Sequence, residues 1–331
     1  MERIDYHITQ RRLRTDAHIR ELTSCVHLSH KSFIQPLFVN ENLTEPAAIK
    51  GLFGVQADTI DSVLYTIQQD LTKGISKFLL FPIPAKKAIS NFDFSFAVNV
   101  IKAIKHAFAD DVWLAADLCL CSYTTHGHCG ILHESQSKLL NNETVAVLTN
   151  YAAELALAGA DCIAPSDMMD GRVAAIRKGL DALNLDHVGI MSYAAKFSSQ
   201  FYGPFRDACN SSPASHGLRN RKSYQISPTN INDAIASAIR DGNEGADILM
   251  VKPAGLYTDV IAALKARSLK PLAAYHVSGE YASIEYMVQQ GFMQRQEAHT
   301  EVWTALARSG ANMIISYASR NARDWIEEMS Y

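Results

Sequence analysis

The chain has 331 residues, 31 basic and 34 acidic side chains, a formal net charge of −3 and 48% hydrophobic content. So even a balance argues against an electrostatic footprint for nucleic acid or an anionic membrane. No apolar run reaches the ~18 residues of a spanning helix, and the opening MERIDYH lacks the apolar stretch of a secretory signal.

Residues 1–32 carry Arg11, Arg12, Arg14 and Arg20 amid few aromatics and predict an N-terminal arm, packed on a neighbouring subunit or free in solvent. From there on, short β-rich apolar runs predict strands at 33–39, 77–82, 112–117, 161–165, 187–193, 247–252, 271–278 and 312–317. Helical patterns fall between them at 59–73, 96–108, 143–158, 172–183, 232–243, 257–267 and 297–308. The clearest is 143–158, where Val145, Leu148, Ala152 and Leu155 share a face and Gly159 ends the helix. Strands alternating with helices imply right-handed crossovers and a parallel sheet. Eight repeats fit an α/β fold of the (β/α)8 TIM-barrel type, with one catalytic domain over 33–331, better than an open doubly wound sheet.

Two connections are too long for plain barrel turns: 118–142, and 197–229 with its Gly203-Pro204, Pro213, Gly217 and the basic run Arg219-Asn-Arg221-Lys222. Both leave the carboxyl ends of strands, where barrel active sites lie. The first holds Cys119, Cys121 and Cys129, with His126 and His128 among them. Six cysteines, three of them clustered, are a poor disulfide framework and fit a reducing, cytoplasmic setting. Three thiols on one loop suit zinc with an open position, because structural zinc usually has four protein ligands. Gly127 and Gly130 would permit the reversal that brings Cys129 back.

The polar residues share a phase at the strand ends. Asp117 ends the third strand, Ser166 and Asp167 follow the fourth, and Lys196 sits just past the fifth. Lys252 ends the sixth, Ser278 the seventh and Tyr317 the eighth. A lysine at the end of Asp-Ile-Leu-Met-Val is poorly solvated, and burial plus a second cation lowers its pKa. A neutral amine there can form a Schiff base with a ketone. Arg206, Arg221 and Lys222 are candidate clamps for a carboxylate. A class I aldolase-like barrel, with one Schiff-base lysine and no thiol-bound zinc, is the competing enzymatic reading; a barrel serving only as a scaffold is the non-catalytic one.

Several ordered motifs carry a resemblance: Arg11-Arg-Leu-Arg14, Pro36-Leu-Phe-Val39, Thr124-Thr-His-Gly-His-Cys-Gly130, Ala164-Pro-Ser-Asp-Met-Met-Asp-Gly-Arg172, Met191-Ser-Tyr-Ala-Ala-Lys-Phe197, Phe201-Tyr-Gly-Pro-Phe-Arg-Asp207, Arg221-Lys-Ser-Tyr-Gln225, Met250-Val-Lys-Pro-Ala254 and Tyr275-His-Val-Ser-Gly-Glu-Tyr281. Together they resemble the porphobilinogen synthase, or 5-aminolevulinate dehydratase, family over essentially the whole chain. The resemblance implies condensation of two 5-aminolevulinate molecules to porphobilinogen for tetrapyrrole synthesis. It implies that Lys252 holds the first substrate and Lys196 the second, with Asp117 as an active-site carboxylate. Ser278 and Tyr317 would bind the first carboxylate, Arg206 and Arg221 the second, with Gln225 close by. Cys119, Cys121 and Cys129 match the family's catalytic zinc ligands; members with aspartates there do without this zinc. Magnesium-stimulated members carry an acid where this chain has Ser237, so no allosteric Mg2+ is expected. The family commonly forms octamers in which the arm wraps a neighbour.

Overall fold

The computed structural model describes residues 10–135, 137–209, 211–213 and 218–329. Residues 1–9 of the expected arm, Gly217 of the second long connection and residues 330–331 lie outside the described residues.

Eight parallel strands make the sheet: β1 (Phe33–Asn40), β2 (Lys77–Ile83), β3 (Trp113–Leu118), β4 (Cys162–Pro165), β5 (Gly189–Lys196), β6 (Ile248–Lys252), β7 (Leu272–His276) and β8 (Met313–Ser316). Each pairs with the next, and β8 returns to β1 through Phe33↔Ile314 and Ile34↔Ile315, so the sheet closes into the expected barrel. Burial explains the composition. Along β1 every residue but the last is buried, as are all of β4 and β7, because side chains fill the lumen on one face and meet helices on the other. The surrounding helices bury one stripe each. Ile60–Thr72 presents Val63, Thr66, Ile67 and Asp70 inward, and starts with a reciprocal cap between Thr59 and Ser62. Ser95–Phe108 buries Phe96, Ala97, Val100, Ile101 and Ile104.

Three departures from the sequence expectations bear on the site. First, β5 runs three residues beyond the expected 193 and carries Lys196 as its last residue rather than just past its end. Its register against β6 shifts between Ser192 and Ala195: Ser192 faces Leu249, but Ala195 faces Val251 and Lys196 faces Lys252. This bulge adds one residue to β5 and brings Lys196 opposite Lys252. Second, β7 stops at His276, and Ser278 opens a helix, Ser278–Gln289. Third, a small antiparallel pair, Ala47–Ala48 with Gln56–Asp58, hangs from the upper end of β1, where the sequence predicted no strand.

In the arm, Arg11–Arg14 form a short 3-10 turn and Ala17–Leu22 a helix capped by Asp16, whose side chain accepts from the Ile19 N–H; neither buries a residue within its own chain. Among the described residues no helix is long and apolar enough to cross a membrane.

Candidate active site

At the carboxyl end of the barrel, Lys252 and Lys196 are 4% and 5% exposed. The Lys252 Nζ sits over aromatic rings from several elements, 4.0 Å from the Tyr275 centroid, 4.8 Å from Tyr193 and 4.9 Å from Phe205. Such faces attract an ammonium, but burial and the neighbouring Lys196 charge prevail and push the Lys252 pKa down to about 7. Lys196 Nζ donates to the carbonyl of Ser166 at the end of β4. Asp117, the penultimate residue of β3, answers both amines: burial raises its carboxyl pKa while Lys196 and Lys252 oppose the rise. Its Oδ1 is out of solvent and has no hydrogen-bond partner.

Cys119, Cys121 and Cys129 are buried and their sulfurs lie within 4.8 Å of one another. Sulfurs about 2.3 Å from a shared zinc stand roughly 3.8 Å apart, so the cluster fits a tetrahedral ion with little movement. The thiols are already electrostatically uneven. Hydrogen bonds from Cys119 and Cys121 hold Cys129 well below the ordinary thiol range, while burial holds Cys119 well above it. Gly127 makes the loop's reversal: its φ is +71°, and a Cβ there would stand 2.4 Å from the Ser212 carbonyl oxygen. Gly130 serves differently, since a Cβ there would meet Thr144 Oγ1 at 2.6 Å. Neither histidine joins the cluster. His128 Nδ1 is 3.0 Å from the Tyr224 hydroxyl and Nε2 faces the Leu218 carbonyl, so it ties the thiol loop to the second long connection.

The described part of that connection, here called the lid, contains the short helix Gly203–Ala208, whose Phe205 ring faces Lys252. Arg221 is buried, donating to the Gly127 carbonyl at 2.9 Å and the Ser211 carbonyl at 2.6 Å, with its Nε unpartnered. Arg206 donates to the Ser199 carbonyl, also with a free Nε, and burial followed by the Arg221 charge lowers its pKa. Both amide atoms of Gln225 are buried without a partner, a cost a polar ligand would remove. Ser278 Oγ accepts from the Phe205 N–H and donates to the Phe201 carbonyl, both at 3.2 Å. Tyr317 Oη lies 3.3 Å from Tyr275 Oη. Lys222 is exposed and lines a cavity of about 560 Å3 together with Gln225, Tyr224, Ser237, Asp233 and Arg240. Asp167 is also spoken for, packed against buried Arg172 at 3.5 Å.

Sequence reasoning missed the aromatic floor. Phe38 stacks on Phe81 and Tyr317 at 5.3 and 6.1 Å, and Phe81 meets Phe205 edge-on at 5.0 Å. The signal was present as aromatic residues at the ends of β1 and β2, but such residues read equally as core. Cys209 closes the lid helix and shares a small cavity with Asp117, Cys119 and Cys121.

Comparison with known proteins agrees with this geometry. The family model described as delta-aminolevulinic acid dehydratase matches residues 7–325. The delta-aminolevulinic acid dehydratase of Bacillus subtilis is 39% identical over 322 residues, covering 96% of this chain and 98% of its own. That of Chlamydia pneumoniae is 42% identical over 315 residues, covering 93% of each. The crystal structure of the Toxoplasma gondii enzyme, in complex with its reaction product porphobilinogen, superposes with a TM-score of 0.91 at 36% identity, covering 99% of this chain and 94% of that one. Fold, length and sequence together establish that the chain belongs to the delta-aminolevulinic acid dehydratase family.

Proposed function

We propose that the chain condenses two molecules of 5-aminolevulinate to porphobilinogen with loss of two waters, using both lysines as amine nucleophiles. The observation that carries this reading is the facing pair Lys196 and Lys252, buried together at adjacent strand ends beside Asp117 and the three thiols. An amine that is half neutral at neutral pH adds to a ketone carbon, and the carbinolamine loses water to leave the Schiff base. Lys252 is poised for this step, with Asp117 placed to take and return the protons. Ser278 and Tyr317 would hold the first substrate's carboxylate. Lys196 would hold the second substrate, its carboxylate met by Arg206, Arg221 and Gln225, whose unpartnered atoms are suited to it.

Cys119, Cys121 and Cys129 would hold a zinc ion, placing the chain in the zinc-dependent group. Zinc bound there with an open position polarises a carbonyl or activates water. The remaining assignments are an N-terminal arm over residues 1–32 that makes oligomer contacts, an octameric assembly and a cytoplasmic location. No magnesium is assigned near Ser237, whose hydroxyl lies 3.4 Å from Asp233 and offers no anionic anchor.

Borohydride trapping with 5-aminolevulinate, followed by peptide mass mapping, tests the mechanism. The reduced adduct is expected on Lys252 or Lys196; its absence from both would sink the assignment. Chelator inactivation reversed by zinc separates this reading from an aldolase-like barrel.

A further inference from the structure

Glu280 is 9% exposed and lies in the first turn of the helix that begins with Ser278. Its Oε2 accepts from the Val277 N–H at 2.9 Å, the ordinary duty of a glutamate at the third helical position. Its Oε1 does something a cap does not require. It reaches across to the turn after β6 and accepts from the Gly255 N–H at 2.9 Å, and the amides of Leu256 and Ala254 also favour its ionised form. Among the described residues no arginine, lysine or histidine forms an ion pair with it. Burial outweighs the amides and pushes its pKa up to about 7; the hydrogen bonds to its carboxyl group come from backbone N–H groups.

The two segments it joins carry the two groups assigned above to one substrate. Gly255 is three residues after Lys252, which would take the ketone; Val277 immediately precedes Ser278, which would take the carboxylate. In 5-aminolevulinate those two functions are separated by only two methylene groups, so the spacing of their receptors is a strict requirement. The fit is close from the other side as well: a Cβ on Gly255 would stand 2.8 Å from Glu280 Oε1 and 3.3 Å from its Cδ.

We infer that Glu280 is a positioning residue that fixes the separation of Lys252 and Ser278 for the first substrate. It touches no substrate itself. The inference rests on the function proposed above and deepens its first binding site. Glu280→Gln keeps the shape but replaces one acceptor oxygen by an NH2 that faces backbone donors. Gly255→Ala leaves Glu280 in place and forces its carboxylate off the turn.

The experiment titrates 5-aminolevulinate against the full-length metal-loaded protein and quantifies borohydride-reduced adduct separately at Lys252 and Lys196. In both variants the concentration for half-maximal trapping at Lys252 is expected to rise about tenfold, with trapping at Lys196 within twofold of the parent. If Glu280→Gln does not fold, Gly255→Ala carries the test. A lowered Tm with unchanged trapping at Lys252 would make Glu280 a plain helix cap and overturn the inference. So would an equal loss at both lysines, which is what general loosening would give. Failure of the parent protein to form any adduct would instead defeat the proposed function.

Discussion

The depressed pKa of Lys252 makes the most direct prediction, because two neighbouring substitutions should move it in opposite directions. At a pKa of about 7, half of the amine is neutral at pH 7, against roughly one part in three thousand for an ordinary lysine. The structure thus supplies about a thousandfold more nucleophile than an exposed side chain would. Burial is the larger cause and Lys196 the second, while Asp117 opposes both. Lys196→Met removes a repelling cation and should raise the midpoint; Asp117→Asn removes a stabilising anion and should lower it. The assay is the initial rate of adduct formation at Lys252, quenched with borohydride, from about pH 5 to 10. Stability gives an independent readout. Between about pH 7 and 10.5 the unfolded chain binds a proton that the folded one does not, so stability rises with pH across that window. The rise is at most about 5 kcal/mol, and Lys252→Met should flatten it. A parent midpoint above about pH 9, or shifts of the same sign in the two variants, would refute the electrostatic account.

Cys129→Ser should abolish retained zinc, measured by elemental analysis of the purified protein, while the far-ultraviolet circular dichroism stays the same; full metal retention would exclude the thiol cluster as the site. Arg172→Met leaves buried Asp167 without its guanidinium and removes from Asp241 the guanidinium 3.0 Å away, so that Asp241 keeps only Arg240 as an ion-pair partner. Urea unfolding should show a loss of about 3–5 kcal/mol, and a loss below ~1 kcal/mol would mean the network relaxes freely. Magnesium added to metal-stripped, zinc-restored protein should leave its rate unchanged, and several-fold stimulation would refute the role assigned to Ser237.

Much of the barrel could be read from the chain because its signals are local. Apolar runs such as Leu-Met-Val before Lys252 mark strands, and the heptad-like stripe ending at Gly159 marks a helix. Cys119, Cys121 and Cys129 were legible for the same reason, being close in sequence. The aromatic rings around the amines were not. Tyr193, Tyr275 and Phe205 surround Lys252 from β5, β7 and the lid, and nothing in their own neighbourhoods distinguishes them from core residues. Lys222 misled in the opposite sense: it adjoins Arg221 in sequence, yet Arg221 is buried while Lys222 points to solvent at the edge of a cavity. Asp167 follows Ser166 at a strand end, but buried Arg172 draws it away from the mouth. Ser278 was read as the end of its strand but opens the following helix, and the Glu280 that caps that helix has its second partner 25 residues away.

The extra residue in β5 means that the amine pair depends on a count as well as on identities. Side chains along a strand alternate inside and outside, so parity decides which residues meet in the lumen. Without the shift between Ser192 and Ala195, it is Ala195 that would stand opposite Lys252 and Lys196 that would fall beyond it. A chain lacking Ala194 would need no bulge, since Ser192 and Lys196 would then count off directly against Leu249 and Lys252. Within β5 the bulge and the residue count therefore offset each other, and two sequences can present the same amine pair with different numbers of alanines between Tyr193 and Lys196 if the strand is bulged in one and straight in the other.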